Sequence, residues 1–316
     1  MDTFTIEPKG PFSLHEAALF GFGQRYDSAF DGTMRLAFCV DGYRAQAGVS
    51  LTQSVDGTVH GTISPVSADA KKQAPTADSD AVVAQVARVL SLDHDATGYQ
   101  ALGDDDPVIG RLLDAAPGLR PPLFYSPYEA ALWAVISMRR PRPSAERWRS
   151  RLAAAAGAGF GVAGTTMWAV PTPERIVEMG RAGVAAAAGV EPARAERVVA
   201  VAQAAQAGSL DAATLSALGE DEARATLRSV PGIGPFYADL ILIRAAGVTD
   251  VLPLKEPRLL GLVGELYGRG APVSPKQAER LAEAWRPWRT WVAVLFRAAG
   301  PRLVGSPTDQ ARRSTT

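Results

Sequence analysis

The sequence predicts an α+β protein in which a small N-terminal antiparallel β-sheet domain with helices precedes an all-α bundle. Two observations carry that expectation. Residues 33–63, "TMRLAFCVDGYRAQAGVSLTQSVDGTVHGTI", alternate apolar and polar side chains around "DGY" and "VDGT" turns, the pattern of a sheet with one buried face. From about residue 107 the strand signals largely vanish, and helix-sized segments follow one another with short Gly or Pro breaks. With 316 residues, 47% of them hydrophobic, the chain can bury a sizeable core and is long enough for two or three compact units.

In "FSLHEAALF", Ser13 with Glu16 three residues on predicts a short capped helix. The stretch 64–80, "SPVSADAKKQAPTADSD", lacks periodicity and reads as a mobile loop. "AVVAQVARVLSLD" sets Val82, Val83, Val86, Val89 and Leu90 on one helical face, a helix that covers the sheet. Helices are then expected at 107–115, 127–138, 144–156, 173–180, 193–207, 211–217, 221–229, 235–246, 256–267, 275–284 and 288–298. "AAAAGAGFGVAG" reads as a helix end running into a loop, and "SPTDQARRSTT" as a disordered tail. The expected organisation is a domain over 1–98, a helical domain over 99–305 and a tail over 306–316.

Composition narrows the chemistry. Thirty-three basic and 33 acidic residues balance to a net charge of zero, so only local clusters, notably "RRPRPSAERWRSR" from 139 to 151, suggest a polyanion partner. The single cysteine, Cys39, excludes an internal disulfide and a cysteine-ligated iron–sulfur cluster, and reads as a buried, inert thiol. His15, His60 and His94 are far apart and show no metal-site spacing. No run of about 18 apolar residues and no basic-then-apolar leader is visible, so a cytoplasmic protein is expected.

The stretch with most chemical content is "LRSVPGIGPFYADL". Pro231 ends one helix, Gly232 and Gly234 permit positive φ and close approach, and a second helix starts at once, which leaves unpaired amides suited to a phosphate. This stretch resembles the helix-hairpin-helix motif of the HhH-GPD superfamily of DNA glycosylases, most closely its AlkA-type (DNA-3-methyladenine glycosylase II) branch. "AEAWRPWRTWVAVLFRAAG", "VPTPERIVEMG" and "GVEPARAERVVAVAQAAQAGSL" are similar to other helices of that family, and the N-terminal sheet with "FSLHEAALFGFG" fits its small α/β domain. The resemblance covers most of the chain.

It implies a monofunctional glycosylase of base excision repair that hydrolyses the N-glycosidic bond of an alkylated or deaminated base flipped from double-stranded DNA. Pro231, Gly232, Ile233, Gly234 and the amides up to Ala238 would grip phosphate, with a structural Na+ or K+ on backbone carbonyls and no side-chain metal ligand. The family's catalytic aspartate falls on Glu256, which keeps the charge but extends the side chain by about 1.5 Å. Glu256 also precedes Pro257 and so suits a helix start, while Asp250 suits a loop anchor. The lysine of bifunctional members falls on Phe236, so strand cleavage is not implied. The base pocket maps onto Phe236, Leu240 and Arg297, with Phe296 alongside, and Arg297 favours a neutral lesion over a cationic one.

The loop that fills the gap left by the flipped nucleotide maps onto Met138, Arg139, Arg140 and Arg142. Trp285, Trp288 and Trp291 read as core packing. Two other readings stay open: a catalytically weak or inactive protein that recognises damaged or distorted duplex, and a helical interaction module without DNA binding.

Overall fold

The computed structural model describes residues 2–21, 30–66, 77–270 and 272–304. The tail over 306–316 and most of the loop expected at 64–80 lie outside the described residues. In chain order the elements are β1 (Asp2–Ile6), α1 (Leu14–Phe20), β2 (Met34–Cys39), β3 (Gln46–Gln53), β4 (Val59–Ser64), α2 (Ser79–Val89), α3 (Thr97–Asp105), α4 (Pro107–Ala115), α5 (Pro127–Ser137) and α6 (Arg142–Ala156). They continue with β5 (Gly159–Val162), β6 (Thr165–Trp168), α7 (Pro173–Ala188), α8 (Pro192–Gln206), α9 (Ala212–Ala217), α10 (Glu220–Ser229), α11 (Pro235–Arg244), α12 (Pro257–Leu266), α13 (Pro275–Ala282) and α14 (Arg289–Val304). This is the α+β architecture that the sequence predicts.

The chain divides into two compact units, each assembled from separate stretches. The first comprises Met1–Glu7, Ser28–Asp93 and Leu123–Gly247; the second comprises Pro8–Asp27, His94–Pro122 and Val248–Thr316.

In the first unit four antiparallel strands run in the order β1-β4-β3-β2, with Val49 of β3 paired to Leu36 and to Ile63. The edge strand β1 was not expected from the sequence. Helix α2 buries Val82, Val86 and Val89, while its Gln85 binds the C-terminal end of β2 and the turn after it, through the Cys39 carbonyl (3.0 Å) and the Asp41 amide (2.7 Å). A second departure is the hairpin β5–β6, where a helix end and loop were expected. Two glycines in a four-residue strand mask its signal. Ala163 and Gly164, at φ 42° and 78°, form the tight turn that closes it. Gly48 lets this hairpin approach the sheet, because a Cβ there would stand 2.4 Å from the Cβ of Phe160.

Cys39 is fully buried, donates to the Val170 carbonyl at 3.3 Å, and has its thiol pushed up by burial. The same burial pushes up Glu129, whose carboxylate takes the Cys39 amide (3.0 Å) and pairs with Arg149 (3.1 Å).

The second unit is a helical core around Tyr99, Leu112, Val263, Trp285, Trp291 and Phe296. Trp291 meets Tyr99 edge-on at 5.1 Å and Trp288 at 4.7 Å, so these tryptophans are packing residues, as their spacing suggests. The fully buried Arg120 ties down the segment before α1 through the carbonyls of Lys9, Gly10 and Pro11. Helix α3 escaped the sequence reading because it lacks a side-chain cap and ends in a run of acids. No helix among the described residues is long and apolar enough to cross a membrane.

Candidate functional site

The first unit carries the glycine turn. Helix α10 stops at Ser229, the Ile233 amide closes the turn on the Val230 carbonyl (3.0 Å), and α11 begins at Pro235. Gly232 sits at φ +95°, and a Cβ there would come within 3.1 Å of both Arg197 Cδ and Val135 Cγ1. The positive φ favours glycine, and a side chain there would also have to push Arg197 or Val135 aside by a few tenths of an ångström. Gly234 differs from expectation: at φ −85° and ψ 177° it is extended backbone, and a Cβ would meet nothing within 4 Å. Its contribution is to leave the start of α11 without a capping side chain.

The first-turn amides of Phe236 and Tyr237 then face out of the helix end, where an anion is favoured by both hydrogen bonding and the helix dipole. The Ala238 amide, expected among the phosphate donors, instead binds the Gly234 carbonyl at 2.9 Å, and Ala238 is fully buried. Phe236 is 61% exposed and stands edge-on to Tyr237 at 5.3 Å, and Leu240 is half-buried.

Beside this turn lies the basic loop between α5 and α6. Met138 ends α5, Arg139 adopts a left-handed φ of 53°, the Arg140 amide returns to the Ser137 carbonyl (3.0 Å), and Arg142 already belongs to α6. A bulky residue at positive φ is strained, and it persists only where its surroundings hold it. Here the holder is Arg194 of α8, nearly fully buried, which donates to the carbonyls of Val135 (2.6 Å), Ile136 (3.0 Å) and Met138 (3.3 Å). Its guanidinium also lies over Trp148, 5.3 Å from the ring centre, and Arg140 stacks on the same ring at 5.6 Å. Arg197, one turn on, joins loop and hairpin: it reaches Met138 Sδ at 3.9 Å while its stem abuts Gly232. The sequence reading missed Arg194, Arg197 and Trp148, whose partners lie tens of residues away.

The second unit carries the acid. Glu256 is the N-cap of α12: its Oε1 accepts the Arg258 amide (3.3 Å), its Oε2 accepts the Leu259 amide (3.0 Å), and Pro257 occupies the first helical position. Oε2 also forms an ion pair with Arg297 Nε of α14 at 3.1 Å. Both side chains are about one-third exposed, 33% for Arg297 and 28% for Glu256. The sequence places these two residues in one site, and the structure brings them into contact.

Phe296, expected alongside Arg297 in a base pocket, is corrected to a core residue. It is fully buried and packs on Trp285 (5.5 Å) and Tyr267 (6.2 Å).

The loop leading to Glu256 is pinned upstream. Asp250 receives Arg286 and Arg289 Nε, each at 2.6 Å, and the Thr290 hydroxyl exchanges hydrogen bonds with both backbone groups of Val251 at 2.9 Å. The arginines of "WRPWR" thus orient the chain that ends at the carboxylate, and Asp250 is an anchor, as read from the sequence. Among the described residues no group of three or more His, Cys, Asp or Glu could hold a metal ion.

No family model matches the chain. It is 29% identical over 212 residues to the probable bifunctional transcriptional activator/DNA repair enzyme AlkA of Mycobacterium tuberculosis, covering 66% of this chain and 40% of that protein. It is 28% identical over 187 residues to the DNA-3-methyladenine glycosylase 2 of Escherichia coli, covering 59% of this chain and 62% of the relative. The matches therefore span less than two thirds of either relative. The fold is shared with the 3-methyladenine DNA glycosylase of Archaeoglobus fulgidus, with a TM-score of 0.73 at 21% identity over 96% of this chain and 99% of that one.

Proposed function

We propose that this chain, a relative of the AlkA-type DNA glycosylases, is a monofunctional glycosylase of base excision repair, hydrolysing the N-glycosidic bond of a damaged base flipped from duplex DNA. The observation that carries the reading is the Val230–Gly234 turn, whose Gly232 holds a glycine-favouring φ of +95° and whose helix end is left open to an anion, in a chain with glycosylase relatives. The turn would hold phosphate through the amides of Phe236 and Tyr237 and position the duplex without reading its sequence. Ser229–Gly234 contains no carboxylate, so its oxygen donors are carbonyls and the Ser229 hydroxyl, a set that suits a singly charged Na+ or K+ rather than a divalent ion.

The left-handed Arg139 would enter the space vacated by the flipped nucleotide while Arg140 and Arg142 meet phosphates. Glu256 would stabilise positive charge developing on the sugar or take a proton from the attacking water. Its Oε1, held only by one 3.3 Å amide contact, is the oxygen with capacity to spare. Phe236 offers no amine, so no Schiff base forms and the strand is left intact. Such a protein acts as a monomer in the cytoplasm.

One observation favours a second reading, a duplex reader with little or no catalysis: the Glu256 carboxylate is already engaged by a helix end and by Arg297. The deciding experiment is base release from duplexes carrying 3-methyladenine, 7-methylguanine, hypoxanthine, uracil or ethenoadenine, with Glu256→Gln beside the parent. Release that depends on Glu256 supports the glycosylase. Silence across the panel, with binding to the same duplexes retained, supports the reader.

A further inference from the structure

We propose that the Arg297–Glu256 pair fits this site to a neutral leaving base, one that departs as an anion. The inference rests on the reading of Glu256 as the catalytic carboxylate. If Glu256 serves the glycosidic bond, its oxygens lie close to the sugar C1′, and the guanidinium 3.1 Å from Oε2 comes within a few bond lengths of the same bond. Anything arriving at that carboxylate meets a cation already in place.

The two families of damaged base differ in the charge that they carry. With a neutral base such as hypoxanthine or uracil, the C1′–N bond breaks with its electron pair going to the base, so the transition state separates a sugar cation from a base anion. Water then adds its oxygen to C1′, and its proton ends, net, on the released base. A carboxylate and a guanidinium side by side complement that pair of charges, and the match strengthens as the bond breaks. With a base such as 7-methylguanine, cationic while attached, the same electron pair leaves the base neutral. Arg297 then repels the bound substrate and gains nothing at the transition state.

The geometry also leaves Arg297 able to act. A guanidinium presents five N–H donors in a planar fork, more than one carboxylate can engage, and its nearest approach to Glu256 is through Nε. Donors therefore remain for the ring nitrogen or carbonyl oxygen of a departing base. Partial exposure of both side chains keeps that option open.

The test compares single-turnover release of hypoxanthine and of 7-methylguanine from otherwise identical duplexes by the parent, Arg297→Gln and Arg297→Lys, with thermal unfolding as a check on folding. The parent is expected to favour hypoxanthine, and Arg297→Gln to lower the hypoxanthine-to-7-methylguanine ratio by about tenfold or more, in line with loss of one preorganised donor to a developing anion. Arg297→Lys, which keeps the charge, should hold that ratio within about threefold of the parent. Equal losses on both substrates, or a parent that prefers 7-methylguanine, would overturn this inference and leave the glycosylase reading standing. A parent silent on every duplex would overturn the glycosylase reading, and this inference with it.

Discussion

Arg297 Nε stands 3.1 Å from Glu256 Oε2, and that same oxygen accepts the Leu259 amide. One carboxylate thus caps α12, neutralises an arginine of α14 and lies at the position that the family resemblance assigns to catalysis. Substitutions at 256 will therefore read out on two scales.

Glu256→Gln should abolish base release while leaving affinity for abasic-site duplex nearly intact. It should also lower stability by about 1 kcal/mol, because an amide caps α12 less well and cannot neutralise Arg297. Urea unfolding and duplex titration separate the two effects. Undiminished release would remove Glu256 from the mechanism.

Glu256→Asp keeps a good cap but withdraws the carboxylate from Arg297. We expect release to fall by up to about a hundredfold, the scale of a misplacement of this size. A rise would show that the longer side chain is a handicap.

Gly232→Ala and Gly234→Ala should diverge. The first places a Cβ at φ +95° against Arg197 and Val135, and is expected to cost about 1–2 kcal/mol and to weaken duplex binding. The second meets nothing within 4 Å at an ordinary φ and should change stability little. Equal losses would mean that space and conformation at 232 are not what the turn requires.

Arg139→Gly should stabilise the free protein by about 1 kcal/mol through relief of its left-handed backbone, yet weaken binding to abasic-site duplex. Arg194→Ala, by contrast, leaves three carbonyls at the end of α5 without their donor and should destabilise by about 3 kcal/mol. Paired unfolding and binding curves for both variants test this opposition.

What was legible in the sequence was local. The Pro–Gly turn between two helix patterns, the Glu256–Pro257 helix start and the tryptophan spacing each follow from neighbours a few residues apart. What was not legible depends on distant partners. Arg194 is an ordinary helical arginine until residues 135–138 are brought against it. Phe296 and Arg297 are adjacent in a helix whose "WVAVLF" run is apolar all round, so periodicity does not tell which one faces the core. The short β5 hides behind its two glycines, and β1 is only five residues long, DTFTI, with little apolar alternation to mark it.

The internal engagement of Arg120, Arg194, Arg286 and Arg289 has a thermodynamic corollary. These charges are committed to carbonyls and to Asp250, so they displace few condensed counterions from a polyanion. The exposed Arg139, Arg140 and Arg142, the latter two in surface ion pairs with Glu191 and Glu146, and the open end of α11 are the groups that the proposed function puts on phosphate. At about 0.9 ions released per phosphate neutralised, the logarithm of duplex affinity should fall with the logarithm of salt concentration with a slope of only about −3 to −4. This protein would then hold its duplex through shape and a few fixed contacts, and tolerate ionic strengths that strip more highly charged binders from DNA.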